Sequence, residues 1–380
     1  MQLTKYKLGD LIVQRREKNK NFDVPIRGVS KEGFIKPKQQ EADTSIYNVF
    51  YRNDFVFNPA RMELNSIALN LEFDKALCSS LYEVFYVKDE SIVLPEYLNL
   101  HIKREEFARY CDYIGLGSAR EYCRFANISG YEIYLPSIDK QQEIVEADRL
   151  IKRRIHLNEQ MIQHLEATAQ ALYRKMFVDN IDKENLPKGW RFSNLGDFCE
   201  LITKGTTPSN YQAKGMISFI KAESFMPNHS LAKDRFAYID EYTHTVILKR
   251  SILCENDVLF TIAGTLGKFC MVTKDYLPAN TNQAVAIIRV NQQKIHPQVL
   301  FTMLLSGIHE DYCKRNIQQA VQANLSLETL HNMPLLYPPT NTLALFHKQI
   351  EPVIDTLFIK YKEIEKLTEL QSLLLAKMGQ

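Results

Sequence analysis

Two proline turns come nearest to catalytic chemistry. An enzyme that modifies an adenine holds the flipped base with an acidic residue or Asn followed by two prolines and an aromatic. Asn58-Pro59-Ala60-Arg61 lacks the second proline and the aromatic, and Tyr337-Pro338-Pro339-Thr340 ends in Thr where the aromatic belongs. Gly264-Thr265-Leu266-Gly267-Lys268 resembles half of a phosphate-cradling loop, but Ile262 stands where the first glycine should be and Phe269 where a magnesium-binding Ser or Thr should be. Gly115-Leu116-Gly117 has two glycines of a dinucleotide fingerprint without the third, and reads as a turn. The nine histidines are scattered, with no His-x-x-x-His and no clustering with Cys, so no metal site is expected. These residue types point away from bond chemistry.

The elements that carry them belong to a chain of 380 residues, 45% apolar, enough for two to four domains with buried cores. Seven cysteines at positions 78, 111, 123, 199, 254, 270 and 313 form no Cys-x-x-Cys pair, which fits reduced thiols in a cytoplasm. The start lacks the apolar segment of a secretory signal and nowhere do 18 apolar residues run together, so a soluble cytoplasmic protein with no membrane partner is expected. Net charge is only +2, and that surplus sits in residues 181–338, with 16 basic and 14 acidic side chains. An acidic partner must be met through local patches rather than bulk charge.

The chain repeats itself. Leu8-Gly9-Asp10 recurs as Leu195-Gly196-Asp197, Asn53-Asp54-Phe55 as Asn256-Asp257-Val258, Asn127-Ile128-Ser129 as Asn324-Leu325-Ser326, and Lys175-Met176 as Lys377-Met378. Each copy opens with β-branched and aromatic runs such as Ser80 to Val87 and Ala284 to Val290, punctuated by Gly, Pro and Asn. Helical stretches intervene, Pro95 to Tyr110 and Pro297 to Cys313, each with proline in the first turn. The fold class is therefore α/β (α+β): two similar globular domains, residues 1–138 and 181–338, each followed by a long helix, residues 139–180 and 339–380.

Those helices carry a 3,4 apolar spacing. The first seam is Ile144, Asp148, Ile151, Ile155, Asn158, Ile162, Leu165, Ala169, Leu172, Met176; the second is Phe346, Ile350, Val353, Leu357, Lys360, Ile364, Leu367, Gln371, Leu374, Met378. A shared seam of this length points to an antiparallel coiled coil with an approximate internal two-fold; the alternative is that each helix packs on its own domain. In the coiled coil, Asn158 and Lys360 meet at mid-length and fix the register. Pro352 suggests that the second helix begins near Glu351. From Ile144 to Met176 such a helix spans about 48 Å, more than one turn of B-DNA at roughly 34–36 Å, so the pair would act as a ruler between two half-sites.

At this point the residues carry a family resemblance. Leu186-Pro187-Lys188-Gly189-Trp190, Leu195-Gly196-Asp197, Thr203-Lys204-Gly205-Thr206-Thr207-Pro208, Phe260 to Lys268, Asn282-Gln283-Ala284 and Asn324-Leu325-Ser326, in that order, resemble the specificity subunit of type I restriction-modification systems. The first copy is similar through Asp43 to Tyr47, Tyr51 to Phe55 and Phe57-Asn58-Pro59-Ala60-Arg61. Where many members lead into the helix with Glu-Gln, this chain has Lys140-Gln141 and Phe346-His347.

The resemblance implies a non-catalytic subunit whose two target-recognition domains each read half of a bipartite double-stranded DNA target. Two methyltransferase (modification) subunits would dock on the helices, and restriction/translocase subunits would cleave unmodified DNA. The chain would hold no cofactor; S-adenosylmethionine, ATP and magnesium would belong to those partners. Phosphates require Lys, Arg or backbone N–H groups, and base edges are read by Arg, Asn and Gln. The DNA-binding candidates are Lys31, Lys36, Lys38, Arg61 and Arg120 in the first domain, beside a basic run at Arg15, Arg16, Lys18 and Lys20. In the second they are Lys204, Thr206, Thr207, Lys214, Lys221, Lys268, Asn282 and Gln283. Gly205 to Pro208 and Asn282-Gln283 would otherwise merely stabilise turns, with base readers in Asn210 to Ser218 or Met226 to Arg235. Two other classes stay open: a stand-alone scaffold binding protein or RNA, and the specificity part of a split or fused restriction enzyme.

Overall fold

The computed structural model describes residues 3–20, 23–37, 43–115, 122–179, 181–317 and 324–378. The chain forms two compact units, Met1–His156 with Glu365–Gln380, and Leu157–Ile364. Each unit therefore combines a globular domain with parts of both long helices.

The first unit is built on an antiparallel sheet in the order Ile12–Arg15, Glu83–Val87, Phe55–Phe57, Ile67–Leu69. The second has the order Cys199–Lys204, Val285–Val290, Val258–Thr261, Phe269–Met271. The repeat extends to register. Phe55 faces Phe85 in one and Val258 faces Ile288 in the other; Phe57 faces Ile67, and Phe260 faces Phe269. Alternation explains why: Phe55, Phe57 and Phe85 pack in one core and Val56 and Val84 in another, and a one-residue slip would exchange the two sets.

The first Leu-Gly-Asp has a steric reason. A Cβ on Gly9 would lie 2.8 Å from Cβ of Ser129 and 3.0 Å from its carbonyl oxygen, so glycine lets this turn press against the short helix behind; at Gly196 the obstacle is the exposed ring of His331, which can swing aside. Asn53 and Asn256 are left-handed, at φ 66° and 71°, a region in which Asn is several-fold enriched.

The expected helix Pro95 to Tyr110 divides into Pro95–Ile102 and Glu105–Gly115, and its counterpart into Pro297–Leu305 and Glu310–Asn316. In the second copy Gly307 breaks the run at φ +78°. In the first, Lys103 turns inward and donates to the carbonyls of Lys31 and Ile67, 2.9 and 2.8 Å away.

The long helices run Ile138–Phe177 and Thr340–Lys377. In the second unit they pack on each other in opposite directions: Phe346 meets Tyr173 and Phe177, and the Tyr361 hydroxyl donates to Glu166, 2.9 Å away. Tyr173, Phe177, Phe346 and Tyr361 also join the core of the second globular domain. In the first unit Ile144 and Val145 share a core with Leu374, Leu375 and Met378, and Gln371 Nε2 donates to Asp148 Oδ1 at 2.7 Å. Pairing and docking on the domain thus coexist within each unit.

Two expectations about the second helix are corrected. The second helix does not begin near Glu351 but runs unbroken through Pro352, which lies on an exposed face where the freed carbonyl meets water. Its deepest stripe is Leu343, Phe346, Ile350, Ile354, Leu357 and Tyr361, so Ile354 and Tyr361 displace Val353 and Lys360. Asn158 and Lys360 are not joined by a hydrogen bond among the described residues. Lys360 Nζ bonds Glu363 Oε2 on its own helix at 2.8 Å, while the buried Asn158 amide nitrogen has no hydrogen-bond partner among the described residues.

The start of each helix is closed differently. Gln141 is fully buried, accepting from the Leu94 N–H at 3.0 Å and donating to the carbonyls of Ile92 and Pro136. In the second copy His296 and His347 stack, ring centroids 3.6 Å apart. No helix among the described residues is long and apolar enough to cross a membrane.

Candidate nucleic-acid interface

In the second domain four of the expected residues gather at one end of the main sheet. Lys204 is the exposed last residue of the strand Cys199–Lys204. The chain then turns over the loop that leads into Val285–Val290, with Gly205 so close that a Cβ there would lie 1.7 Å from the Thr281 carbonyl oxygen. That contact, not a special φ, requires the glycine. The exposed Thr207 hydroxyl donates to the Gln283 side-chain oxygen, and Asn282 Oδ1 accepts from the Ala284 N–H at 3.3 Å. Beneath them the buried Thr281 hydroxyl donates to the Ile220 carbonyl at 2.8 Å, which ties the loop to the strand preceding Lys221.

Lys221 is engaged: its ammonium lies 2.6 Å from Glu223 Oε1 and over the Tyr211 ring. Thr206 is exposed on the same turn as Thr207, and Lys214 is exposed in the segment that carries Tyr211 and the 92% exposed Met216. A surface of amide, hydroxyl and ammonium groups with exposed apolar side chains offers donors for phosphate and base edges and flat area for stacking. Lys268 stands apart. Its ammonium turns inward and donates to the Phe225 carbonyl at 3.0 Å, so it serves as a structural anchor there.

In the first domain Lys31 sits at the exposed tip of the hairpin Gly28–Ser30 and Gly33–Ile35, and Lys36 is exposed just beyond it. Lys31 and the exposed Arg61, on the turn Pro59–Leu64, line one cleft of ≈ 500 Å³. Lys103 lies in its wall, and burial lowers its pKa to about 8. Lys38 and Arg120 lie outside the described residues. The basic run divides: Arg15 pairs with Asp54, Lys18 donates to the Ile46 carbonyl, and Arg16 Nε donates to Gln14.

Lys103 escaped the sequence reading because its partners lie 36 and 72 residues away and no local pattern marks it. His229 and His309, both lining a second cleft, escaped as members of a scattered set. The one signal for His229 was its place in the stretch Met226 to Arg235, where the copies diverge. Among the described residues, no three His, Cys, Asp or Glu side chains come together as a metal-binding group.

The sequence matches the profile described as "Type I restriction modification DNA specificity domain" twice, over residues 4–167 and 187–374. It is 23% identical over 308 residues to the type I restriction enzyme MjaIX specificity subunit of Methanocaldococcus jannaschii, covering 75% of this chain and 68% of that protein. It is 22% identical over 362 residues to the type I restriction enzyme HindI specificity subunit of Haemophilus influenzae, covering 76% and 77%. The crystal structure of the S subunit of a type I restriction-modification system from M. genitalium aligns at a TM-score of 0.62 with 13% identity, covering 100% of this chain and 96% of that one. At that identity the likeness is one of fold.

Proposed function

The chain belongs to the type I restriction-modification DNA specificity family, and from that premise we propose that it selects the DNA address for a complex whose other subunits do the chemistry. Each globular domain reads one half of a bipartite double-stranded target. Modification subunits assemble with the chain and methylate adenine within the target, and restriction subunits act where that mark is absent. S-adenosylmethionine, ATP and magnesium belong to those partners, and the chain itself breaks and forms no bonds.

The observation that carries this reading is the double match of the family profile to two domains whose sheets repeat each other's register. A reader of two half-sites needs two copies of one scaffold with different surfaces. In the second domain the surface is the end of the sheet that presents Lys204, Thr206, Thr207, Asn282 and Gln283, with Lys214 and Lys221 beside it. In the first it is the cleft with Lys31 and Arg61, with Lys36 nearby. A net charge of +2 gives little counterion release, so tight binding requires the assembled complex.

The test is single-molecule sequencing of genomic DNA for N6-methyladenine, from cells carrying the modification subunit with and without this chain. A split motif that appears only with the chain establishes the role. If the subunits assemble and no motif depends on the chain, the reading is wrong.

A further inference from the structure

Two domains with one scaffold and two different half-sites must differ where equivalent backbone carries unlike side chains. One such place repeats. The cleft of the first domain lies between the hairpin Gly28–Ile35, the turn ahead of Ile67–Leu69 and the start of Glu105–Gly115. The second domain has a cleft of ≈ 340 Å³ between the turn closed by the Phe225–Leu231 bridge, the turn ahead of Phe269–Met271 and the start of Glu310–Asn316. A shared strut fixes the correspondence. The residue just ahead of the equivalent strand donates to the first arm of the hairpin in both: Ser66 Oγ to the Val29 carbonyl at 3.0 Å, and Lys268 Nζ to the Phe225 carbonyl at 3.0 Å.

The linings differ in kind. The first cleft presents Lys31, Arg61 and Lys103 together with Glu63 and Glu105, and the ammonium of Lys103 holds the hairpin tip against the sheet. The second presents His229, stacked 4.2 Å from Phe269, beside His309 and apolar Met226 and Leu266; its charged residues are Lys268, which is turned onto the Phe225 carbonyl, and Lys314, which is paired with Glu310. In each wall a side chain more than nine-tenths buried keeps a polar atom with no hydrogen-bond partner among the described residues, Asn65 Oδ1 in the first and His309 Nδ1 in the second. Native proteins pair nearly all such atoms, and those left over call for an explanation such as a function or a bound group.

We propose that these two clefts are specificity-determining positions, one in each half-site reader, the one presenting Lys31 and Arg61 taking the acceptor-rich edge of guanine and the one presenting His229 and His309 the edge of an A·T pair. Arginine and lysine are the side chains that pair with guanine O6 and N7. A neutral imidazole offers one donor and one acceptor, the pattern of adenine N7 and N6, and an apolar wall suits the thymine methyl. This rests on the address-reading role proposed above.

The experiment is motif mapping by N6-methyladenine sequencing with the complete complex carrying Lys31→Ala, Arg61→Ala, His229→Asn or His309→Leu. Asn at 229 keeps the left-handed backbone, φ 60°, and Lys31 is an exposed tip residue, so neither should unfold its domain. Arg61→Ala and Lys31→Ala should relax a G·C position in one half of the motif only, by about tenfold in discrimination, and the histidine variants an A·T position in the other half only. Variants that assemble normally and keep the wild-type motif and methylation level overturn the inference while leaving the address-reading role intact. A wild-type complex that yields no split motif overturns that role itself, and the inference with it.

Discussion

Arg15 grips Asp54 through two parallel bonds, Nε to Oδ2 at 2.6 Å and Nη2 to Oδ1 at 3.1 Å, and the carboxylate is 2% exposed. The same carboxylate accepts the Tyr51 N–H at 2.7 Å and so closes the turn that contains left-handed Asn53. In the second domain Asp257 takes the N–H of Cys254 at 2.8 Å and both arms of Arg289, at 2.7 and 2.8 Å. The carboxylate is equivalent, but the arginine is not. Arg15 comes from the outer strand Ile12–Arg15, whereas Arg289 comes from the interior strand Val285–Val290. The repeated Asn-Asp is thus a structural anchor of the sheet.

Arg15→Met leaves a buried carboxylate uncompensated, so urea unfolding should show a loss of about 3 kcal/mol. Arg289→Met should cost a similar amount. Replacing Asp54 by Leu in the Arg15→Met background should recover much of it, since breaking a buried pair costs more than removing it. A loss below about 1 kcal/mol for both single variants would mean that solvent supports the carboxylate.

Gly205→Ala places a methyl against the backbone of Thr281. No rotamer relieves a clash with backbone, so the turn carrying Thr206 and Thr207 must move. Methylation by the assembled complex should fall at least tenfold while the subunits still co-purify. Wild-type methylation would remove this turn from the interface.

Asn158 carries a buried amide nitrogen with no partner among the described residues. Asn158→Leu should raise the unfolding free energy by about 1 kcal/mol, because an unpaired buried donor costs more than an apolar group of similar size. A decrease of that size, measured by urea unfolding, would show that the amide is needed.

Stability should fall as pH drops from about 6.5 to about 4. Burial lowers the pKa of His101 to about 4, helped by the Arg104 charge, and burial lowers that of His229 to about 4. Within this window the unfolded chain binds protons that the folded chain refuses, so acid favours unfolding. Above it both states are neutral at these positions and the effect vanishes. Lys103 works at the other end: with its pKa near 8 when folded and near 10.5 when unfolded, it makes stability rise with pH between those values. Thermal melting from pH 7 to 4 should show the decline, and His101→Gln should flatten it; an equal slope in that variant would rule out His101 as a source.

The sequence by itself determined the duplication, the order of elements and the family, because offsets, helical spacing and turn residues are properties of neighbours along the chain. Leu-Gly-Asp, Asn-Asp and Asn-x-Ser mark equivalent turns without any knowledge of what they touch. It also placed Lys31, Arg61, Lys204, Thr207 and Gln283 as candidates from their chemistry alone. Tertiary structure decided which of the charged groups are occupied. Arg15 and Lys268 are spent on Asp54 and the Phe225 carbonyl, while Lys103, outside any basic run, pins a hairpin 72 residues away. It also moved the buried stripe of the second helix from Lys360 to Tyr361, since which face of a helix is covered depends on the partner helix and the domain it packs on. Periodicity records that a helix has a buried face. The depth of each position on that face, and the partner of each buried charge, are set by contacts that no local pattern encodes.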